Sequence, residues 1–198
     1  DSTGIYDILD VISLKKTLFI SISKSGGTQE TKNNILVFIQ AFKKAGLEFR
    51  KHCCAITMEN TSLDRVAKKE DWLQVFYISE TIGGRTSETS IVGHLPASLT
   101  GIDFNSLIEG ACEMDIWTGI SDYTRNPAYI LAATWYLAGS GKGEKNMVFI
   151  PYSDRLLLLS RYLQQLVMES LGKEKDLSGK IVHQGLNVFG NKGGADAH

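Results

Sequence analysis

Apolar and polar positions follow two periods along this chain. Residues 16–23 (KTLFISIS) form a short β-rich run, and residues 28–45 place Ile35, Leu36, Phe38, Ile39 and Phe42 at helical spacing. A second apolar run at 52–58 (HCCAITM), a short helix at 62–69 and a strand at 72–78 complete a β-α-β-α-β order. Ser62 with Asp64 is expected to cap the short helix. Antiparallel hairpins would need two-residue turns, which are absent here. The pattern therefore predicts an α/β fold, a three-layer αβα arrangement of the doubly wound type with a parallel sheet.

After Gly83-Gly84 the pattern turns helical, at 87–98, 104–117 and 126–137, with Pro127 suited to the first turn of the last. The run GSGKG at 139–143 is the most linker-like segment and leads into a strand at 146–150. One long helix is expected from about 153 to 171, ended by Gly172. The predicted organisation is one nearly complete domain, N-terminally truncated, over 1–108. Linking helices and the first part of a second domain, truncated at its C-terminus, fill 109–198.

The composition of the 198 residues, 43% apolar and 22% charged, is that of an ordinary globular protein. With 21 Lys+Arg against 22 Asp+Glu the net charge is −1, which argues against nucleic acid or a polybasic membrane surface as partner. No run of ~18 apolar residues offers a membrane span. Three cysteines, two of them adjacent (Cys53, Cys54) and one at Cys112, make a poor disulfide framework and suit a reduced, cytoplasmic protein. The chain opens without Met and stops at His198, directly after a Gly-rich loop, so it reads as a piece of a longer protein.

Four segments can carry chemistry. The first is SKSGGTQET (23–31), at a strand end and opening a helix. Gly26 and Gly27 let backbone N–H groups approach an anion, and the helix dipole favours negative charge there. Ser23, Ser25 and Thr28 add hydroxyls and Lys24 adds charge, which suits a compact phosphate monoester; the nucleotide-binding GxxxxGK[ST] pattern is absent. The same residues also suit a plain helix N-cap after a Gly-rich turn. The second is GGRTS (83–87), whose Arg85 can stabilise a developing oxyanion or simply be solvated. The third, QLVMES (165–170), closes the long helix. Glu169 follows an apolar helical run, so partial desolvation would suit it to general-base work, although a surface Glu at a helix end is the plainer reading. The fourth is the Gly-rich tail with His183 and His198, whose spacing, with no cysteine nearby, does not suggest a metal site. His52 and His94 read as core or surface residues.

In this order and spacing the segments resemble the glucose-6-phosphate isomerase (phosphoglucose isomerase) family. SKSGGTQET looks like its phosphate loop, and IGGRTS like its first signature. VFIPYSDRLLLLSRYLQQLVMESLGK looks like the segment bearing its catalytic glutamate, and HQGLNVFGNKGGADAH like the loop bearing its catalytic histidine. The resemblance covers nearly the whole chain. It implies sugar isomerase (SIS) domains, with a sugar phosphate held by Ser23, Lys24, Ser25, Gly26, Gly27 and Thr28 and contacted by Gln165. It implies that Glu169 moves a proton between C1 and C2, that Arg85 steadies a cis-enediolate, and that His198 assists ring opening from a neighbouring subunit of a homodimer. Neither metal nor redox cofactor is called for.

Two departures stand out: Thr86 where the family has an aromatic residue after the arginine, and Gly26-Gly27 where many members have a bulkier pair. The family's upstream glycine–serine phosphate contact and its C-terminal lysine have no counterpart here. The expected function is aldose–ketose isomerisation in glycolysis and gluconeogenesis by the longer parent, with this piece alone inactive. Two alternatives stay open: a non-catalytic sugar-phosphate sensor, and the isomerase part of a transaldolase fusion.

Overall fold

In the computed structural model, which describes residues 2–194, the chain divides into two compact units, Asp1–Ala111 and Cys112–His198. The first unit opens with helix α1 (Ser2–Val11), which the sequence pattern did not announce. Its Ile5 and Leu9, four apart and so on one face, pack against the core. There follow β1 (Phe19–Ile22), α2 (Gln29–Lys44), β2 (Cys53–Thr57), α3 (Ser62–Lys69) and β3 (Gln74–Tyr77). The strands pair in the order β1-β2-β3, both ladders parallel, with Phe19 opposite Cys53 and Ala55 opposite Val75. The expected parallel α/β arrangement is therefore present.

All five residues of the central strand β2 are buried, as a parallel strand covered on both faces requires. On one face Phe19, Cys53, Ala55 and Val75 form a single cluster with Ile35, Phe38 and Phe42 of α2 and Leu63 and Ala67 of α3. Phe42 is fully buried and meets Phe49 edge-on at 5.4 Å, and Phe49 meets Trp72 in the same way at 5.6 Å. His52 belongs to this core: its ring lies 5.0 Å from that of Phe42, and Nδ1 is 3.1 Å from the Thr17 carbonyl oxygen.

The start of α3 differs from expectation. Thr61, not Ser62, is the N-cap, its hydroxyl accepting from the Asp64 N–H at 3.2 Å. Asp64, 1% exposed, is ringed by donors: the Asn60 N–H at 2.8 Å, Lys68 Nζ at 3.0 Å and the Tyr77 hydroxyl at 3.2 Å. Burial pushes its carboxyl upward, but the hydrogen bonds from Lys68, the Asn60 N–H and Tyr77 outweigh it and hold the pKa below the ordinary aspartate value.

Beyond β3 a 3-10 segment (Gly84–Thr89) precedes α4 (Ile91–Thr100), and α5 (Phe104–Thr118) spans the division between the units. The helix expected from residue 87 begins at 91 because the Ser90 hydroxyl accepts from the Val92 N–H and fixes the start there. His94 packs its ring on Phe104 at 3.8 Å.

The second unit contains α6 (Pro127–Ala138), β4 (Met147–Phe149), α7 (Leu159–Leu163), β5 (Lys173–Lys175), β6 (Ile181–Gln184) and β7 (Val188–Gly190). Asn126 caps α6, accepting from the Ala128 N–H at 2.9 Å and donating to the carbonyls of Thr118 and Ile120. α6 is apolar on all sides, yet Tyr136 and Leu137 are exposed. β4 and β7 pair in parallel.

Two expectations fail in this unit. The single helix over 153–171 is instead a 3-10 turn (Asp154–Leu156), α7 and a π-helical turn (Gln164–Glu169); helical structure does stop at Gly172. β5 and β6 also form an antiparallel hairpin, closed by a turn in which Asp176 accepts from the N–H groups of Ser178 and Lys180 and Gly179 takes φ +84°. Among the described residues no helix is long and apolar enough to cross a membrane.

Two outcomes test this packing. Cys53 and Cys54 are buried, and burial with the neighbouring Cys54 and Glu70 charges pushes the Cys53 thiol up to about 12, whereas Cys112 is exposed. A chromogenic thiol reagent at pH 8 is expected to titrate one thiol in the native protein and three in denaturant. For Asp64, whose folded pKa is lowered, the stabilisation is present above the unfolded value of about 3.9 and fades as pH falls through the folded one. Urea unfolding is therefore expected to show Asp64→Asn less stable than the parent at pH 7, with the gap narrowing towards pH 3.

Candidate active site

The segment 23–28 leaves the carboxyl end of β1 and enters α2, a 16-residue helix. Open parallel sheets present ligands at this edge, and a long helix brings the unpaired N–H groups of its first turn there. Ser23 is 6% exposed and its backbone N–H donates to the Ile56 carbonyl, which fixes it to the end of β2. The Ser23 and Thr28 hydroxyls share a hydrogen bond of 3.0 Å across the mouth of the loop. Thr28 occupies the N-cap position of α2, yet its side chain makes no cap hydrogen bond. The plain-cap reading predicted such a bond; here the hydroxyl is turned towards Ser23 and the first-turn N–H groups are not capped by it.

Ser25 is exposed, and its hydroxyl accepts from the Gly27 N–H at 3.2 Å. The two glycines differ. Gly27 has open space beside it, the nearest atom to an added Cβ being the Ser25 hydroxyl at 3.6 Å. Gly26 takes φ +65°, and a Cβ on it would lie 2.8 Å from the Leu63 nitrogen and 2.9 Å from Thr61. Its lack of a side chain serves the seating of the loop on the start of α3. Ser62, expected to cap α3, instead donates to the Gly26 carbonyl.

Lys24 departs from expectation most clearly. Its ammonium is not left facing the loop but donates to the carbonyls of Glu80 at 2.8 Å and Ile82 at 2.7 Å. Its own carbonyl accepts from the Met58 N–H at 3.1 Å. The stem thus passes over the end of β2 to the turn that follows β3. That turn is closed by the Ile82 N–H on the Ser79 carbonyl and the Ser79–Thr81 hydroxyl pair at 2.8 Å, and it runs through Gly83 into the 3-10 segment bearing half-buried Arg85. Nothing in the one-dimensional pattern links position 24 to position 82; the parallel strand order does.

In the second unit Gln165 and Glu169 lie four apart on the π-helical turn, and both are exposed. Four residues come close to one revolution of either an α- or a π-helix, so the two side chains leave from nearly the same side. The partial desolvation anticipated for Glu169 is not supplied by this unit. Of the six residues of the turn, Val167 alone is buried; Ser170 donates to Glu169 Oε2 at 3.4 Å. Both α7 and this turn rest on β7, and Gly190 admits α7 there: a Cβ on it would lie 2.9 Å from Ser160 Cβ and 2.2 Å from the Phe149 carbonyl oxygen. His198 lies outside the described residues. A cavity of about 630 Å³ lined by His94, Ser98, Phe104, Asn105, Ile108 and Glu109 contains none of the anticipated site residues.

Comparison with known proteins gives a consistent picture. Glucose-6-phosphate isomerase of Nostoc punctiforme is 52% identical over 200 residues, covering 100% of this chain and 38% of that protein. The enzyme of the same name from Gloeothece citriformis is 56% identical over 185 residues, 93% of this chain and 35% of its own length. The chain thus spans little more than a third of the curated relatives it matches. Among solved structures, a glucose-6-phosphate isomerase from Chlamydia trachomatis superposes with a TM-score of 0.85 at 30% identity, covering 98% of this chain and 38% of that one. A hypothetical protein from Thermus thermophilus gives 0.86 at 30% identity, covering 99% and 46%. The family described as phosphoglucose isomerase matches from residue 1 to residue 198, and the chain belongs to that family.

Proposed function

We propose that these residues form part of a glucose-6-phosphate isomerase, which interconverts glucose 6-phosphate and fructose 6-phosphate through a cis-enediolate in the cytoplasm. The observation that carries the proposal is the start of α2, where an N-cap threonine directs its hydroxyl to Ser23 and away from its own helix. Two hydroxyls, the Gly27 edge and the first-turn N–H groups then suit a dianionic phosphate. Residues 1–108 would supply most of the first SIS domain, and 109–198 the linking helices and the opening of the second. The exposed apolar faces of α6 suit burial within a longer protein.

In this reading the phosphate anchor holds the far end of the open-chain sugar while the chemistry occurs at C1 and C2. Binding energy at the anchor is thereby turned into positioning. The Glu169 carboxylate takes the proton from C2 of the aldose, leaving a cis-enediolate; a proton passes from O2 to O1, and the Glu169 carboxyl returns its own proton to C1 to give the ketose. The Arg85 guanidinium offsets the charge that grows on the enediolate oxygens, and Gln165 holds a sugar hydroxyl. His198 from the partner subunit of a homodimer assists opening of the ring. The second reading, a phosphosugar sensor, has no use for Arg85, Gln165 and Glu169 together.

In the full-length enzyme, Glu169→Gln is expected to lower kcat about 10³-fold while phosphosugar affinity by calorimetry stays within a factor of three. Unchanged turnover would reject the assignment of the base, and phosphosugar binding without turnover in the parent enzyme would favour the sensor. Thr28→Ala is expected to weaken competitive inhibition by inorganic phosphate about tenfold, the scale of one hydrogen bond to a charged group. The isolated 198-residue chain is expected to show little or no isomerisation in a coupled assay.

A further inference from the structure

We propose that Lys24 is a positioning residue that ties the anion loop to the turn carrying Arg85, so that capture of the phosphate and placement of the guanidinium are one mechanical event. The proposal rests on the isomerase reading above and adds a role for the lysine side chain that is distinct from phosphate contact.

Two short, charge-assisted hydrogen bonds run from one ammonium to the Glu80 and Ile82 carbonyls. Both acceptors belong to the connection between β3 and Gly83, which passes directly into the 3-10 segment: the Gly83 carbonyl accepts from the Thr86 N–H at 3.3 Å and the Gly84 carbonyl from the Ser87 hydroxyl at 2.8 Å. Turn and 3-10 segment are thereby joined by hydrogen bonds, so a tie that holds the turn also bears on where the Arg85 backbone lies. The turn's internal bonds define its shape, while Lys24 relates that shape to the loop at β1. The lysine is itself well placed for this. Its backbone is pinned to β2 by the Met58 N–H, and the next residues but one, Gly26 and Gly27, form the floor of the anion loop. A compact ammonium with three donors suits two diverging carbonyls. With two of those donors directed at the carbonyls, direct coordination of the phosphate is the lesser part of its role.

The test uses the full-length enzyme with Lys24→Met, which keeps the stem and removes the ammonium, and Lys24→Arg, which can still donate to both carbonyls. Circular dichroism and thermal unfolding first establish that each variant is folded. If Lys24 positions Arg85, Lys24→Met lowers kcat 10- to 100-fold, the scale on which a small misplacement acts. The inhibition constant of inorganic phosphate then stays within a factor of three, Lys24→Arg recovers at least a third of the parental kcat, and the backbone N–H groups of 82–86 exchange faster in Lys24→Met than in the parent. A tenfold or greater loss of phosphate affinity with kcat nearly intact would overturn the proposal in favour of direct phosphate binding. Unchanged kcat and unchanged exchange would also overturn it. Should Lys24→Met fail to fold, Lys24→Arg decides alone: parental phosphate affinity with kcat reduced more than threefold, or failure to fold, counts against the tie. Absence of turnover in the parent enzyme would reject the isomerase reading itself, and is distinguished from failure of the tie by that control.

Discussion

The first unit depends on the burial of β2 between two parallel neighbours. Parallel strands cannot be joined by tight turns, so each connection must cross the sheet through a helix, and every strand then ends on the same edge. Because β2 is central, the segments leaving β1 and β3 are separated there by two strand spacings, about 10 Å. That gap is within the reach of a lysine whose backbone is already carried over the end of β2. Ser23 on Ile56, Met58 on Lys24 and Ile78 on Thr57 are backbone bonds that continue the ladder past the strand ends, so the loops are extensions of the sheet more than appendages to it.

The loop at 23–28 is held from beneath by α3 as well. Thr61 bonds the Thr57 hydroxyl at 2.8 Å and caps the helix, while Ser62 bonds Gly26. Asp64 locks the preceding turn through the Asn60 N–H and links it to Tyr77 at the end of β3. A polar network with its hydrogen bonds made stiffens its surroundings, and this one joins the underside of the 23–28 loop to the strand that leads to Arg85. Three hydroxyl residues and a carboxylate thus do for the loop what apolar packing does for the sheet.

What the sequence made legible, and what it hid, divides along physical lines. The helix expected over 28–45 and observed as Gln29–Lys44 carries a long apolar stripe with no competing pattern. The strands were legible because β2 is apolar up to Thr57, though each proved shorter than its apolar run. α1 was hidden because its stripe is two or three residues long. The hairpin β5–β6 was hidden because its connection is longer than a two-residue turn and its short strands are exposed, β5 being charged throughout. The break at 153–171 was invisible to periodicity: Leu159, Tyr162, Leu163, Leu166 and Val167 fit an α-helix as well as the mixed winding observed. The 23–28 loop could be singled out from its hydroxyls and glycines, but not the direction of the Lys24 side chain, which follows from strand order and not from neighbouring residues.

The packing of Gly26 has a consequence for anyone wishing to redesign the rim of this loop. Its backbone lies in the left-handed region with the Leu63 nitrogen and Thr61 against it, so the loop is cast on the start of α3 like a shape on a mould. Residue choice at 26 is closed unless α3 is moved as well. Ser25 and Gly27, by contrast, face open space, and diversity introduced there would alter the rim while the mould stays unchanged. Rim and architecture are thereby assigned to adjacent positions, one free to vary and one not.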